Sequence, residues 1–262
     1  MFELIDVSYS YNDMPALKSI NLMIEKGETV SFLGANGCGK STLFKLICGL
    51  VVPDTGTYRF DGNRINKKTL SDAKFSKQLH QRVGFVFQNP DTQLFCADVF
   101  DEVAFGPRQM GLEQKEIEER VSDTLALLGL RGFESRNPYH LSGGEKRKVA
   151  LAAVLAMNPD ALVLDEPMSG LDPRTMRWLA DFLARLNSIG KTIAVSTHNL
   201  DLVQEISKRA VLFDENHTIA ADMPSSGLLD DIDLLRQVNL VDPNFHRHSH
   251  NGHNSFHIHA IP

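Results

Sequence analysis

The sequence predicts an α/β fold built on a mainly parallel sheet, and three observations carry that expectation. A glycine-rich run, Gly34-Ala35-Asn36-Gly37-Cys38-Gly39-Lys40-Ser41-Thr42, stands between a short apolar strand and a helical pattern. Three later apolar strands, at 83–87, Ala161–Leu164 and Thr192–Ser196, alternate with helical stretches, as strand–helix–strand units do. At 262 residues the chain has length for one large domain with an ample core, or a core plus a small subdomain.

Each element has its own signal. Residues 1–30 alternate as strands do (Phe2, Leu4, Ile5 and Val7, then Ile20, Leu22 and Ile24), broken by turns at Asn12-Asp13 and Lys26-Gly27. A strand over 29–33 runs into the glycine-rich loop. A helix over 41–50 follows, with Leu43, Leu46, Ile47 and Leu50 on one face and Gly49 near its end. The stretch 89–158 is helix-rich: Ile117, Val121, Leu125 and Leu128 recur at helical spacing behind Glu113, Glu116, Glu118 and Glu119. Another helix starts at Asp172-Pro173, turns Met176, Leu179, Leu183 and Leu186 inward, and stops at Gly190. After 224 the pattern weakens, and from Asp242 the chain is polar and rich in histidine. No internal repeat is present, so one unit is expected rather than a tandem pair.

Composition narrows the function classes. A net charge of −6 gives no basic footprint for nucleic acid, so none is expected as a partner. Cys38, Cys48 and Cys96 form no CxxC pair and no disulfide framework, which suits a reduced, cytosolic compartment. Met1-Phe2-Glu3-Leu4-Ile5-Asp6 has neither a basic segment nor an apolar signal core. The longest apolar run, 149–157, is less than half the roughly 20 residues that span a bilayer. Work at a membrane would need spanning helices from another protein.

The glycine-rich run fits the P-loop pattern, in which backbone N–H groups curl around phosphate and a lysine reaches the outer phosphates. Its setting, strand then loop then helix, is the one that chemistry requires. The N–H groups of residues 36–42 and the helix start are expected to cradle a β-phosphate, with Lys40 on the β- and γ-phosphates. Ser41 offers a hydroxyl to Mg²⁺ and Thr42 one to the α-phosphate. Cys38 needs no role of its own, although alkylation there is expected to block nucleotide. Asp165 and Glu166 end an apolar strand, which puts two carboxylates at the sheet edge beside the loop.

The P-loop is followed in fixed order by Leu141-Ser142-Gly143-Gly144, Ala161-Leu162-Val163-Leu164-Asp165-Glu166-Pro167, Ser169-Gly170-Leu171-Asp172 and Ser196-Thr197-His198. Together these resemble the ATP-binding cassette (ABC) ATPases, the motor subunits of ABC transporters. The resemblance covers about residues 1–225. It implies a P-loop NTPase of RecA-like, mainly parallel sheet, with an N-terminal antiparallel β subdomain and a helical subdomain at about 89–158 inserted into the nucleotide-binding core. Residues 226–262 would be an extension with a histidine-rich tail at 246–259.

The resemblance also implies roles. The cofactors would be ATP and Mg²⁺, with Asp165 holding the ion through water, Ser41 and Gln88 as its ligands, and Glu166 as general base. His198 would contact the γ-phosphate. Tyr11 is similar to the aromatic that stacks on adenine, although Tyr9, on the same face, stays open for that part. Asp172 reads both as a helix N-cap and as the acid that crosses between subunits. Ser142, Gly143 and Gly144 would contact the ATP held by a second copy, so the resemblance implies a head-to-tail dimer with two ATPs between its halves. Both half-sites look intact, which favours a homodimer over a heterodimer. Glu145-Lys146-Arg147-Lys148 stands where the family often has Gln and a final Arg, a change that keeps size and most of the charge.

Two further runs, Asn89-Pro90-Asp91-Thr92-Gln93-Leu94-Phe95 and Asp101-Glu102-Val103-Ala104-Phe105-Gly106-Pro107, resemble the ATPase subunits of energy-coupling-factor (ECF) uptake systems. That implies integral membrane coupling and substrate-binding subunits as partners, gripped near 95–107, and a place on the cytoplasmic face of the cell membrane. Core packing of the helical subdomain is the plainer account of some of these phenylalanines. In the tail, His246, His248 and His250 alternate, and His253, His257 and His259 follow. Imidazole suits Ni²⁺, Co²⁺, Zn²⁺ and Cu²⁺, so an unstructured metal-binding tail is expected, with a merely solubilising tail as the alternative. Cobalt or nickel import is the resulting expectation. The alternatives are a vitamin or other micronutrient, a soluble ABC ATPase, or a metal chaperone. Soluble ABC ATPases generally carry two cassettes or a long coiled-coil insertion, and this chain has neither.

Overall fold

A computed structural model describes residues 1–241, together with the backbone course and pairing of the strands at 245–250 and 253–258; His259 lies outside the described residues. The chain opens with β1 (Phe2–Tyr11) and β2 (Met14–Ile24), an antiparallel hairpin that buries Phe2, Leu4, Val7, Leu17, Ile20, Leu22 and Ile24. Asn12 and Asp13 turn it at φ 45° and 65°, in the left-handed region those two side chains tolerate. β3 (Thr29–Leu33) then feeds the glycine-rich loop and α1 (Lys40–Ile47). The helix stops three residues before the expected end at 50: Gly49 takes φ 70°, and Leu50 is exposed rather than inward.

β4 (Thr55–Phe60) and β5 (Asn63–Ile65) complete the first sheet in the order β2-β1-β4-β5, all antiparallel. Neither strand was legible in the sequence. α2 (Lys67–Ser71) and α3 (Ala73–Arg82) lead to β6 (Val83–Val86). The helical stretch that follows holds α4 (Val99–Met110), α5 (Gln114–Leu127) and α6 (Gly143–Leu155). Val99, Val103, Ile117, Val121, Leu125 and Val149 lock these helices into one core cluster with α7 of the sheet region described next.

The remaining strands alternate with helices: β7 (Ala161–Leu164), α7 (Pro173–Ser188), β8 (Thr192–Ser196), α8 (Leu200–Ile206), β9 (Arg209–Phe213) and β10 (Ile219–Pro224). The second sheet runs β10-β9-β3-β8-β7-β6, parallel from β9 to β6 with only β10 antiparallel. β3, the strand that launches the loop, is therefore central, with β8 and β7 beside it. α1 lies between the two sheets, where Leu43, Phe44, Leu46 and Ile47 are fully buried and Phe44 meets Phe32 edge-on at 5.2 Å.

The weak pattern after 224 proves to be two short helices, α9 (Ser225–Asp230) and α10 (Ile232–Gln237). Their Leu228, Leu229 and Leu235, with Val238, pack on Leu200, Val203 and Leu212 in a third cluster. The tail is a second departure from expectation. β11 (Phe245–His250) and β12 (His253–Ile258) pair antiparallel, so the backbone is a hairpin and not an unstructured chain. Among the described residues no helix is long and apolar enough to cross a membrane.

One buried hydrogen bond ties the antiparallel sheet to the loop helix: the Tyr58 hydroxyl donates to the Ile47 carbonyl at 2.6 Å. Tyr58 is fully buried, and its pKa is driven up by loss of solvent around the phenol. Tyr58→Phe keeps the packing but leaves a helix-end carbonyl without its donor. It should lower unfolding free energy by about 1–3 kcal/mol in denaturant titration. A change within error would show that this contact does not hold the sheets to α1.

Candidate active site

The loop geometry follows from its glycines. Gly34 and Gly39 sit at φ 147° and 119°, where L side chains are strained. A Cβ on Gly39 would lie 2.6 Å from the Ala16 carbonyl oxygen, so the first antiparallel sheet itself forbids a side chain there. Lys40 is buried, and its Nζ donates to the carbonyls of Gly34 at 2.7 Å and Ala35 at 3.1 Å. Cys38 Sγ is 3.7 Å from that amine. The thiol is buried, and loss of solvent raises its pKa against the pull of Lys40. Alkylation there, expected to block nucleotide, is therefore opposed on two counts: little access and little thiolate.

The carboxylates are set by the parallel pairing of β7 with β8, in which Leu164 faces Val195. One residue beyond each strand's register, Asp165 and Ser196 meet: the Ser196 hydroxyl donates to Asp165 Oδ1 at 2.6 Å. The Ser196 hydroxyl oxygen in turn accepts the Glu166 N–H at 2.7 Å. Glu166 holds φ 45°, a strained conformation for a residue with a side chain, of the kind that clusters at working sites. Its Oε2 lies 2.8 Å from His198 Nδ1, while Oε1 is buried with no hydrogen-bond partner among the described residues. A buried carboxylate oxygen without a partner is costly, and such an atom asks for a donor.

These groups face one cleft of about 360 Å³. Asn36, Gly37, Gly39, Lys40, Ser41 and Thr42 form one wall, and Gln88, Asp165 and Glu166 the other. The oxygen donors Ser41, Gln88 and Asp165 thus share a space, the donor chemistry that hard divalent cations take. Gly34, Ala35 and Cys38 lie in the same loop without lining the cleft. His198 reaches the site through Glu166, with its side chain 61% exposed. Tyr11 stands half-exposed at the end of β1; Tyr9 meets it edge-on at 4.9 Å, and Lys45 Nζ lies 5.9 Å over its ring.

Ser142, Gly143, Gly144 and Asp172 do not line the cleft. Ser142 caps α6 in a reciprocal box: Glu145 N–H donates to its hydroxyl, and Glu145 Oε2 accepts its N–H at 2.8 Å and its O–H at 2.7 Å. Those bonds hold the Glu145 carboxyl below its usual pKa. The residue expected to be a near-neutral replacement therefore puts a negative charge at this helix start. Asp172 caps α7, accepting the N–H groups of Arg174 and Thr175 and the Thr175 hydroxyl, which lowers its pKa.

Three positioning residues escaped the sequence reading. Ser196 is one. Arg147, on α6, donates to the carbonyls of Pro167 at 2.6 Å, Ser169 at 2.7 Å and Gln88 at 3.0 Å, so it pins both loops that flank the cleft. Gln93 accepts the Phe87 N–H and donates to the Ala150 carbonyl, tying the segment around Gln88 to α6. The Ser-Thr-His run pointed to the first, but nothing local announces carbonyl-binding by an arginine.

Residues 17–169 match the family described as ABC transporter. The nickel import ATP-binding protein LarO of Lactiplantibacillus plantarum is 43% identical over 92% of this chain and 99% of its own length. The energy-coupling factor transporter ATP-binding protein EcfA of Methanothermobacter thermautotrophicus is 42% identical over 93% of this chain and 77% of its own. Among solved structures, the dimeric ATP-binding cassette MJ0796, in a post-hydrolysis state bound to ADP and Pi, superposes with a TM-score of 0.78 at 29% identity, covering 86% of this chain and 99% of that one.

Ser196→Ala removes the hydroxyl that holds the Asp165 carboxylate and the Glu166 backbone N–H, while leaving the phosphate-loop residues unchanged. ATP hydrolysis should fall about tenfold or more, with ATP affinity within about threefold of the parent, as expected for loss of hydrogen bonds to charged groups. Unchanged turnover in steady-state assays would mean that Asp165 and Glu166 are positioned by the backbone alone.

Proposed function

The chain belongs to the ABC transporter family, whose cassettes hydrolyse ATP, and from that premise we propose that it is the motor subunit of an ECF-type importer for nickel or cobalt. The observation that carries the mechanistic part is the Glu166 side chain, on a residue that lines the cleft: one carboxylate oxygen is held by His198 and the other is buried without a hydrogen-bond partner among the described residues. A water lying between that oxygen and a γ-phosphate would give up its proton to Glu166 as it attacks.

In this reading Lys40 exchanges loop carbonyls for β- and γ-phosphate oxygens, and the N–H groups of residues 36–42 cradle the β-phosphate. Thr42 serves the α-phosphate, and Tyr11 stacks on adenine. Ser41, Gln88 and, through water, Asp165 would hold Mg²⁺, which when bound supplies charge neutralisation on the phosphate oxygens. His198 keeps Glu166 in one rotamer and lies within reach of a γ-phosphate. Ser142, Gly143 and Gly144 complete the site of a second copy, with Asp172 crossing between them. Their absence from the chain's own cleft supports that head-to-tail reading, as does the dimeric state of the MJ0796 cassette. Residues 1–225 would then be the cassette and 226–262 the extension.

Membrane partners are proposed to dock on the helical stretch 89–158. Leu94 is buried and Phe100 is half-buried against the core, so neither offers a free face. Phe95 and Phe105 are exposed and meet edge-on at 4.9 Å, with exposed Tyr139 reaching the Leu94 carbonyl beside them. This aromatic patch suits a helix from a membrane subunit, which would hold the chain at the cytoplasmic face. Similarity to a nickel import ATPase favours a transition-metal ion over a vitamin as the cargo. Uptake of radiolabelled nickel and cobalt by cells with and without this chain tests the choice. Loss of both marks a metal importer; loss of neither returns the vitamin alternative.

Glu166→Gln should bind ATP normally and lose about 10²–10⁴-fold in turnover. Near-parental hydrolysis by that variant would remove Glu166 as general base.

Phe95→Glu and Phe105→Glu should each cut transport about tenfold or more while basal hydrolysis changes less than about twofold. Normal assembly and transport would leave the patch as ordinary surface.

A further inference from the structure

Glu102 is a buried acid that the hydrolytic site does not use. It stands in the first turn of α4 at 3% exposure, and its Oε2 accepts the backbone N–H groups of Phe95 at 2.8 Å and Cys96 at 2.7 Å. A buried carboxylate is costly unless it is hydrogen-bonded; two N–H groups of one loop, with the positive end of α4, meet that need. Next to them the Tyr139 hydroxyl donates to the Leu94 carbonyl at 3.4 Å. Three consecutive loop residues are therefore held by side chains. Phe95 is nevertheless 60% exposed, edge-on to Phe105 at 4.9 Å. Loss of solvent, then the charges of Glu102, Asp101 and Asp98, push the pKa of the Cys96 thiol up to about 11, so it stays neutral beside the carboxylate.

The segment between the cleft and this patch has two separate anchors. Its Gln88 end is tied to α6: Arg147 donates to the Gln88 carbonyl, Lys146 Nζ meets Asp91 at 2.7 Å, and Gln93 donates to the Ala150 carbonyl at 2.9 Å. Its Phe95 end is tied to α4 by Glu102. Loosening the second anchor leaves the first in place.

We propose that Glu102 is the positioning residue of the partner-docking surface: it pre-sets the loop that presents Phe95, so that a helix of the membrane subunit meets an ordered aromatic patch. This rests on the reading of that patch as a docking surface. Ordering the loop in advance spares the complex the entropy of fixing it on contact. Reach, not charge, is what Glu102 supplies, since an amide oxygen at the same place accepts the same two N–H groups.

Two variants separate reach from charge. Glu102→Gln keeps the acceptor and removes the charge. Glu102→Asp keeps the charge and withdraws it by one carbon–carbon bond, about 1.5 Å, beyond hydrogen-bond distance. Amide hydrogen exchange is read on the full chain. Retention on washed membranes is read in native-host cells carrying each form, with Phe95→Glu alongside. The Phe95 and Cys96 amides should exchange about tenfold or more faster in Glu102→Asp, and at the parental rate in Glu102→Gln. Membrane retention should fall about tenfold or more in Glu102→Asp, as in Phe95→Glu, and stay parental in Glu102→Gln. ATP hydrolysis by each purified Glu102 variant should remain within about twofold of the parent, because the α6 anchor is intact. Slow exchange at both amides in Glu102→Asp would show that the carboxylate is not the hold. Fast exchange with parental retention, while Phe95→Glu detaches, would overturn the pre-ordering. Detachment of Glu102→Gln with protected amides would replace position by charge and so contradict the proposal. Parental retention of Phe95→Glu would remove the docking surface itself, and the part of Glu102 in docking with it.

Discussion

The working geometry rests on one constraint, the parallel register of β7 against β8. Fixing Leu164 opposite Val195 delivers Asp165 to Ser196, and the hydroxyl of Ser196 then aligns Asp165 and the Glu166 backbone together. Glu166 there takes a left-handed conformation, with one oxygen on His198 and the other buried without a hydrogen-bond partner among the described residues. A shift of one residue would send each of these side chains to the opposite face of the sheet. β3 lies on the far side of β8, so the same parallel array also sets the distance from the phosphate loop to the carboxylates.

Legibility in the sequence followed locality. The P-loop, α7 with its Asp172-Pro173 start, and the strand ending in Asp165-Glu166 each carry their physics within a few residues, and so were readable. β4 and β5 were not, because they are short and gain stability only by pairing with β1. α9 and α10 were missed for the same reason: six-residue helices show too little periodicity, and only the third core cluster explains them. Arg147 and Gln93 act on carbonyls far away in the chain, a role no local pattern encodes.

Placement of the signature residues gives the cassette its second character. Ser142 and its helix start are clear of the chain's own cleft, and the Ser142 hydroxyl is occupied by Glu145. In the proposed dimer a γ-phosphate from the other copy would have to compete with that carboxylate for the same hydroxyl, against like charge. Arg147, one turn along the same helix, donates to the carbonyls of Gln88 and Pro167.

The central claim is that each active site is finished by the signature of a second copy, and subunit mixing tests it most directly. Lys40→Ala disables the phosphate loop, and Ser142→Arg puts a bulky cation at the start of α6; each variant alone should be inactive. In a mixed head-to-tail dimer both defects fall in one site, and the other combines an intact loop with an intact signature. Hydrolysis should therefore return when the two inactive variants are combined, in proportion to mixed dimer. Mixed dimers that form and stay inactive, or full activity of Ser142→Arg alone, would contradict the account.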